Sequence, residues 1–467
     1  MVFSSITFLI YFLPIFLICY QFLRTNQSKN IWILIASIFF YAWGAPKFVF
    51  ILVASTIIDF HLVKTMHLTA SKVLRKRLLS CSIILNLGLL AYFKYANFFV
   101  ENVQLLFPNF QWINVILPIG ISFYTFQTLT YSIDIYRGNA KPLEKVTDYL
   151  LYIMMFPQLI AGPIVRYNHI ADQIRGRVEN YDVKVHGFFR FSLGLAKKVL
   201  IANSLGQIID PFFLDIESLD AATAWIIIVA YSFQIYFDFS GYSDMAIGLG
   251  KMMGFQFPEN FNSPYISKSI TEFWRRWHIT LGDWMRDYLY IPLGGNRVNS
   301  STRLYFNLSF VFLMSGLWHG ASWNFVLWGI FHGLFLILDR LFLLQLLKKL
   351  FAPVSIILTF FVVVLSWVIF RIEEFSDAMI FYRILFNFQS WQWPDIFGGF
   401  WLSLFIAILI SFSTYFRCFK KLETYILSPS EKQNSTLLFL GVAITLFIIC
   451  IIKLCASDFN PFIYFRF

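Results

Sequence analysis

The consecutive residues Met314, Ser315, Gly316, Leu317, Trp318, His319, Gly320, Ala321, Ser322, Trp323 and Asn324 place a titratable histidine inside a long apolar stretch. An ionisable group at membrane depth is costly and is a functional-site candidate by default. Imidazole is also the side chain best suited to accept a proton near neutral pH. The structural alternative for His319 is a polar residue that bridges two packed helices. His278 closes a second run, Phe273, Trp274, Arg275, Arg276, Trp277, His278. Guanidinium groups grip phosphate through paired hydrogen bonds and stack on aromatic rings, so Arg275 and Arg276 suit a phosphate-rich donor such as a coenzyme A thioester. Arginines reaching to lipid headgroups give the same pattern. A third run, from Phe237 through Asp238, Ser240, Gly241 and Ser243 to Asp244, fits either a proton or ion path or an interfacial turn. His332 is expected to pack or to support, because Gly320, Ala321 and Ser322 break the helix before it. His61, His67, His169 and His186 look incidental. The sequence holds no HExxH, no Walker A loop and no GxSxG, which argues against a zinc protease, an ATP-driven pump and a serine hydrolase.

The elements that must position these residues are membrane helices. Of the 467 residues 58% are hydrophobic and only 13% charged, where a soluble globular chain carries about 25% charged residues. Apolar runs cover residues 3–23, 78–100, 222–239, 304–318, 323–343, 353–370, 400–416 and 437–454. Shorter or polar-interrupted runs cover 31–43, 48–63, 113–136 and 149–165. A span needs roughly 20 apolar residues, so the pattern predicts an all-α polytopic bundle of about 11 spans. The runs are continuous and not alternating, which excludes a β-barrel. Residues 166–198 read as a cytoplasmic or interfacial helix, with 183–213 weakly amphipathic. Residues 254–302 mix Trp, Tyr and Arg, as short interfacial or re-entrant helices do. There is no soluble domain and no internal repeat.

The net charge of +11 is not a nucleic-acid signal, because it is concentrated in short loops as the positive-inside rule expects. Lys64, Lys72, Arg75, Lys76 and Arg77 form one basic loop, and Arg417, Lys420 and Lys421 another. The loops near residues 70 and 420 are therefore expected in the cytoplasm, with the N-terminus and the tail 456–467 outside. Residues 1–23 lack a charged leading region and a small-residue cleavage site, so they read as a retained first span. Cys19, Cys81, Cys418, Cys450 and Cys455 include no CxxC pair and suggest neither a disulfide framework nor a zinc site. No bound metal is expected.

The order of Phe273, Trp274, Arg275, Arg276, Trp277, His278, Ile279, Thr280 and Leu281, then Tyr290, Ile291, Pro292, Leu293, Gly294 and Gly295, then Ser315 to Asn324, resembles the membrane-bound O-acyltransferase family. It is most similar to the bacterial alginate O-acetyltransferase type. Leu117 to Gln127, Tyr131 to Arg137 and Phe156 to Pro163 support the resemblance, which runs over residues 31–340 and weakens in the last quarter. It implies one membrane domain over 1–467, with a core at 31–340 and C-terminal helices at 341–467, built around a central funnel.

The resemblance makes His319 the catalytic residue and His278 its polar companion. His319 would take the proton of an incoming hydroxyl as that hydroxyl attacks a thioester, help worth typically 10²–10⁴-fold. His278 would orient the acceptor or stabilise the oxyanion. Trp318 and Trp323 would exclude water and hold the imidazole. Trp274, Arg275, Arg276, Trp277 and Asn324 complete the expected donor and substrate set. The implied donor is acetyl-CoA from the cytoplasm, with no permanently bound cofactor. The implied setting is the inner membrane of a bacterium, with a periplasmic acetyltransferase partner and a polysaccharide acceptor such as alginate. Peptidoglycan or cellulose acetylation and D-alanyl transfer to teichoic acid remain alternatives. A proton-coupled transporter or flippase is the rival from another class, although inverted repeats, common in such folds, are not seen.

Overall fold

In hydrocarbon each backbone N–H and C=O must be paired within its own segment, so uninterrupted apolar runs become helices. The computed structural model describes residues 2–463 apart from 390, 395, 397, 428–435 and 458, and among these it is helical with no strand. Six helices are long and apolar enough to cross a membrane: Phe48–Leu68, Lys72–Gln104, Ala221–Met252, Trp323–Lys349, Ala352–Arg371 and Thr436–Cys455. Gly399–Ser413 and Arg417–Leu427, bent by 95°, make a seventh if taken as one span. The expected count of about 11 rests on further helices that are short or carry polar groups. Thr7–Phe22 is short. Asn26–Gly44 and Ser301–His319 have 19 residues each but polar interruptions. Ile121–Arg137 buries Gln127, Thr128, Thr130 and Asp134.

Three expected runs differ from the structure. Residues 149–165 are not one helix: Val146–Met154 ends where Met155 leaves the helical region (φ −52°, ψ 113°), and Phe156–Leu159 is a separate short turn with Pro157 at its second position. Within 113–136 the helix begins only at Ile121, after Gly120 in the left-handed region at φ 77°. The stretch 183–213, expected to be weakly amphipathic, overlaps the 166–198 segment expected as a cytoplasmic or interfacial helix. It lies on helical segments from Tyr181 to Ile209 whose residues Phe191, Leu195, Leu205 and Ile209 are fully buried. Its polar residues made it look interfacial, but several of them, including Arg190, Lys198 and Asn203, are buried too.

The chain forms two compact units, Met1–Phe191 with Met245–Pro258, and Ser192–Asp244 with Glu259–Phe467.

In the first unit Asp59, inside Phe48–Leu68, ties four helices together. It accepts from Ser82 (2.5 Å), Asn86 (3.0 Å), Ser132 (3.4 Å) and Tyr149 (2.6 Å). A second knot centres on Glu179, which pairs with Lys29 and Lys184 at 2.7 Å each and accepts from the Tyr20 hydroxyl at 2.7 Å.

In the second unit Trp277, Trp328, Trp367, Phe325 and Phe370 belong to one apolar core. Ser301–His319 and Trp323–Leu338 form a helical hairpin around Gly320. Their backbones meet at glycines: a Cβ on Gly316 would lie 2.2 Å from the Phe325 carbonyl oxygen, and one on Gly329 2.4 Å from that of Phe312. Small residues let membrane helices approach this closely.

Candidate active site

The segment that carries His278 is locally determined. Ser269 accepts the Glu272 N–H at 3.1 Å, while the Glu272 carboxylate accepts the Lys268 N–H at 2.9 Å. This reciprocal cap starts the helix Ile270–Arg276. The helix ends at Trp277, and His278 sits in the left-handed region at φ 46°, ψ 52°. A non-glycine residue held there stores strain, a feature that clusters at functional sites. The strain is held by backbone pairing with the preceding loop, Ile279 N–H to Asn260 O and Asn262 N–H to Arg276 O, each at 2.9 Å.

His278 is almost fully buried. Its Nδ1 lies 3.2 Å from Asn260 Oδ1, an oxygen that also accepts from the Thr280 N–H and hydroxyl. Its ring packs edge-on against Phe239 at 4.7 Å and Trp318 at 5.8 Å. Burial pushes the imidazole down to about 3, so the ring is neutral at physiological pH. Its Nε2 has no hydrogen-bond partner among the described residues.

His319 ends the Ser301–His319 helix, its ring enclosed by Trp318 at 5.1 Å, Trp328 at 5.0 Å and Phe370 at 5.3 Å. Trp318 therefore touches both histidines. His332 joins the same cluster through Trp328, with ring centroids 4.8 Å apart.

A cavity of about 480 Å³ opens beside this cluster, lined by Trp274, Arg275, His278, Asp283, Tyr290 and Ser315 among others. Ser315 stands one helical turn before His319. Arg275 has no ion-pair partner among the described residues, whereas Arg286, also on the wall, is paired with Asp283 at 2.7 Å.

The structure thus gathers His278, His319, Trp318, Trp274 and Arg275. It sends the other expected residues elsewhere. Arg276 pairs with Glu272 at 2.8 Å, one helical turn away. Trp277 faces the apolar core against Phe261, Phe273 and Trp367. Trp323 is exposed. Asn324 is buried but donates to the carbonyls of Ile372 at 2.6 Å and Glu373 at 2.9 Å, clamping two helices. Sequence reasoning missed Asn260, which lies outside every motif. An Asn directly after Pro258 and Glu259 in a loop reads only as a turn residue.

A family model for the membrane-bound O-acyltransferase family matches residues 60–375. The chain belongs to that family. It is 43% identical over 404 residues to a protein of Pseudomonas aeruginosa named probable alginate O-acetylase AlgI, covering 85% of this chain and 77% of that one. A protein of the same name from Azotobacter vinelandii is 38% identical over 504 residues, covering both chains fully. A peptidoglycan O-acetyltransferase of Helicobacter pylori is 38% identical over 415 residues, covering 81% of this chain and 78% of that one. The protein is thus a multi-pass membrane O-acyltransferase. The family match reaches past the resemblance read from sequence, through Ala352–Arg371, whose Phe370 packs on His319.

Proposed function

We propose that this acyltransferase moves an acetyl group from acetyl-CoA, taken from the cytoplasm, toward a hydroxyl of an exported polysaccharide, with alginate the first candidate. It would act in the inner membrane, forming an acetyl ester on an acceptor hydroxyl from which a periplasmic partner passes the acetyl group on to the polysaccharide. The names of the relatives that match most of the chain support acetyl as the group and alginate as the acceptor.

The observation that carries the chemical reading is the placement of His278 on the cavity wall, one tryptophan away from His319. In the proposed reaction the hydroxyl oxygen attacks the thioester carbonyl carbon as His319 takes the hydroxyl proton. The C–S bond breaks, and the imidazolium returns that proton to the departing thiolate, leaving an acetyl ester and free coenzyme A. His278 orients the hydroxyl. With its proton on Nδ1, its Nε2 offers a lone pair, which favours accepting a hydrogen bond over stabilising an oxyanion. Arg275 meets donor phosphate from the cavity wall.

The test uses purified protein in nanodiscs, radiolabelled acetyl-CoA, a hydroxyl acceptor and no ion gradient. Wild type is expected to transfer label, and His319→Ala, accumulating normally, is expected to lose 10²-fold or more, roughly. Wild-type transfer by His319→Ala would remove His319 from the mechanism. Activity that depends on a carrier-protein thioester would overturn acetyl-CoA as donor.

A further inference from the structure

The span Trp323–Lys349 follows directly on the His319 turn, and it holds the short helix that leads into His278 at two points. At the first, Asp339 Oδ2 accepts both the Thr271 N–H at 2.8 Å and the Thr271 hydroxyl at 2.7 Å. At the second, two helical turns earlier along the span, the Trp274 indole N–H donates to His332 Nδ1 at 3.3 Å. Thr271 and Trp274 lie three residues apart and so share a face of Ile270–Arg276. His332 and Asp339 likewise share a face of the span.

The Trp274 contact fixes the chemistry of His332. An indole nitrogen only donates. His332 Nδ1 therefore carries the lone pair and Nε2 the proton, the reverse of the tautomer that Asn260 imposes on His278. His332 is fully buried, and its Nε2 has no hydrogen-bond partner among the described residues. A leucine would fill such a site without an unpaired ring nitrogen but would leave the Trp274 N–H without this acceptor, so the imidazole, with its unmet Nε2, is held here at a cost. What it provides is one acceptor aimed at Trp274. The Trp274 ring is held further by Phe312 at 5.2 Å and Trp328 at 5.5 Å, and it forms part of the cavity wall beside His278.

We propose that His332 is a positioning residue of the acyl-transfer site. Through its Nδ1 it fixes the Trp274 indole that walls the cavity, while Asp339 fixes the start of the same helix, so the span that follows the His319 turn sets where the His278 segment stands. The inference rests on the reading of that cavity as the acyl-donor site.

The test is a mutant cycle with two readouts. His332→Leu removes the acceptor, Trp274→Phe removes the donor, and His332→Asn returns an oxygen along the same side-chain path as Nδ1. With acetyl-CoA as the probe, His332→Leu is expected to raise KM about five- to tenfold while kcat changes less than about threefold, the pattern of lost positioning and not of lost chemistry. His332→Asn should restore most of the KM. In the Trp274→Phe background, His332→Leu should add nothing.

The second readout needs no turnover. In protein labelled with 5-fluorotryptophan, the Trp274 fluorine resonance, assigned by its loss in Trp274→Phe, should move and broaden in His332→Leu and return in His332→Asn. A wild type inert toward acetyl-CoA would sink the donor reading, and the fluorine spectrum would still decide the role of His332. An unmoved Trp274 resonance in His332→Leu overturns the proposal, as does a KM that His332→Asn fails to restore. If His332→Leu does not accumulate, His332→Asn and Trp274→Phe give the same decision: a Trp274 line shifted in His332→Asn, or an unchanged KM in Trp274→Phe, counts against it.

Discussion

Asn260 Oδ1 lies 3.2 Å from His278 Nδ1 and accepts the Thr280 backbone N–H at 3.3 Å. A backbone N–H can only donate, so the carbonyl end of the Asn260 amide is the end that faces the imidazole. His278 must then donate from Nδ1, and its lone pair is turned to Nε2. The other end of the amide donates to Ser243 Oγ at 3.1 Å, and a flip would set its NH₂ against the Thr280 N–H, losing that bond. A residue outside every motif thus decides which nitrogen of a motif histidine is basic.

Asn260→Leu removes that constraint. Acetyl transfer should fall about 10- to 100-fold, by analogy with the loss when the partner that orients a metal-ligating histidine is removed. Asn260→Asp keeps an acceptor but places a negative charge beside the ring, which favours the imidazolium. Its rate should therefore fall more steeply than wild type as pH is lowered. A pH–rate profile of the two variants checks this, and a wild-type profile for both would detach Asn260 from the site.

His278 also predicts a pH dependence of stability. Burial lowers its folded-state value from 6.5 to about 3. The unfolded chain takes up a proton as pH falls through 6.5, while the folded chain resists until about 3. Stability must therefore fall with pH across that window, by up to about 1.4 kcal/mol per pH unit from this group. Thermal unfolding in detergent should show a flatter acid limb for His278→Gln than for wild type. Parallel limbs would mean that His278 is charged, or hydrated, in the folded protein.

The two arginines of the His278 run should separate. Arg275 lines the cavity, and Arg276 is engaged with Glu272. Arg275→Gln should raise KM for acetyl-CoA about tenfold, as expected for a lost charge-assisted hydrogen bond. Arg276→Gln breaks a partly exposed ion pair worth ~1 kcal/mol or less and should leave KM within about twofold. Equal effects from both would place the donor phosphates elsewhere.

The helical class and the histidine motifs were legible because both rest on local pattern. Continuous apolar runs announce spans, and a ring flanked by Trp318 and Trp323 announces a buried imidazole. What local pattern cannot show is direction. Trp274 and Trp277 look alike in sequence, yet three residues of helix and the turn at His278 put one on the cavity and the other in the core. The burial of 183–198, within the 166–198 segment read as cytoplasmic or interfacial, was not legible for a related reason. Lys197 and Lys198 pair with the buried Asp244 and Asp238, distant in sequence, so a stretch that belongs to the interior reads as half-soluble. The polar residues of Ile121–Arg137 and the break at Met155 belong to the same class of signal, since apolar content alone does not distinguish lipid from protein as the covering.

The last prediction concerns the chain after Thr436–Cys455. The tail 456–467 is expected outside, and residues 458 and 464–467 lie outside the described residues. The described part is not free. Lys198 and Asp238 form a buried ion pair at 2.6 Å. The Ile463 N–H donates to Asp238 Oδ2 at 2.8 Å, Lys198 donates to the Pro461 carbonyl, and Phe462 stacks on Tyr242 with ring centroids 4.6 Å apart. Asn203 donates to Asn460 Oδ1 at 3.1 Å. A buried pair is tolerable only when its remaining hydrogen bonds are met, and here the tail meets them. Truncation after residue 456 should therefore destabilise the purified protein by about 3–5 kcal/mol, comparable to breaking a buried pair. The same truncation in a Lys198→Met, Asp238→Leu background should cost much less, because no buried charge is left to satisfy. Thermal unfolding of the four proteins in one detergent reads the difference. If truncation costs the same in both backgrounds, the tail contributes through packing of Phe462 and not through the ion pair.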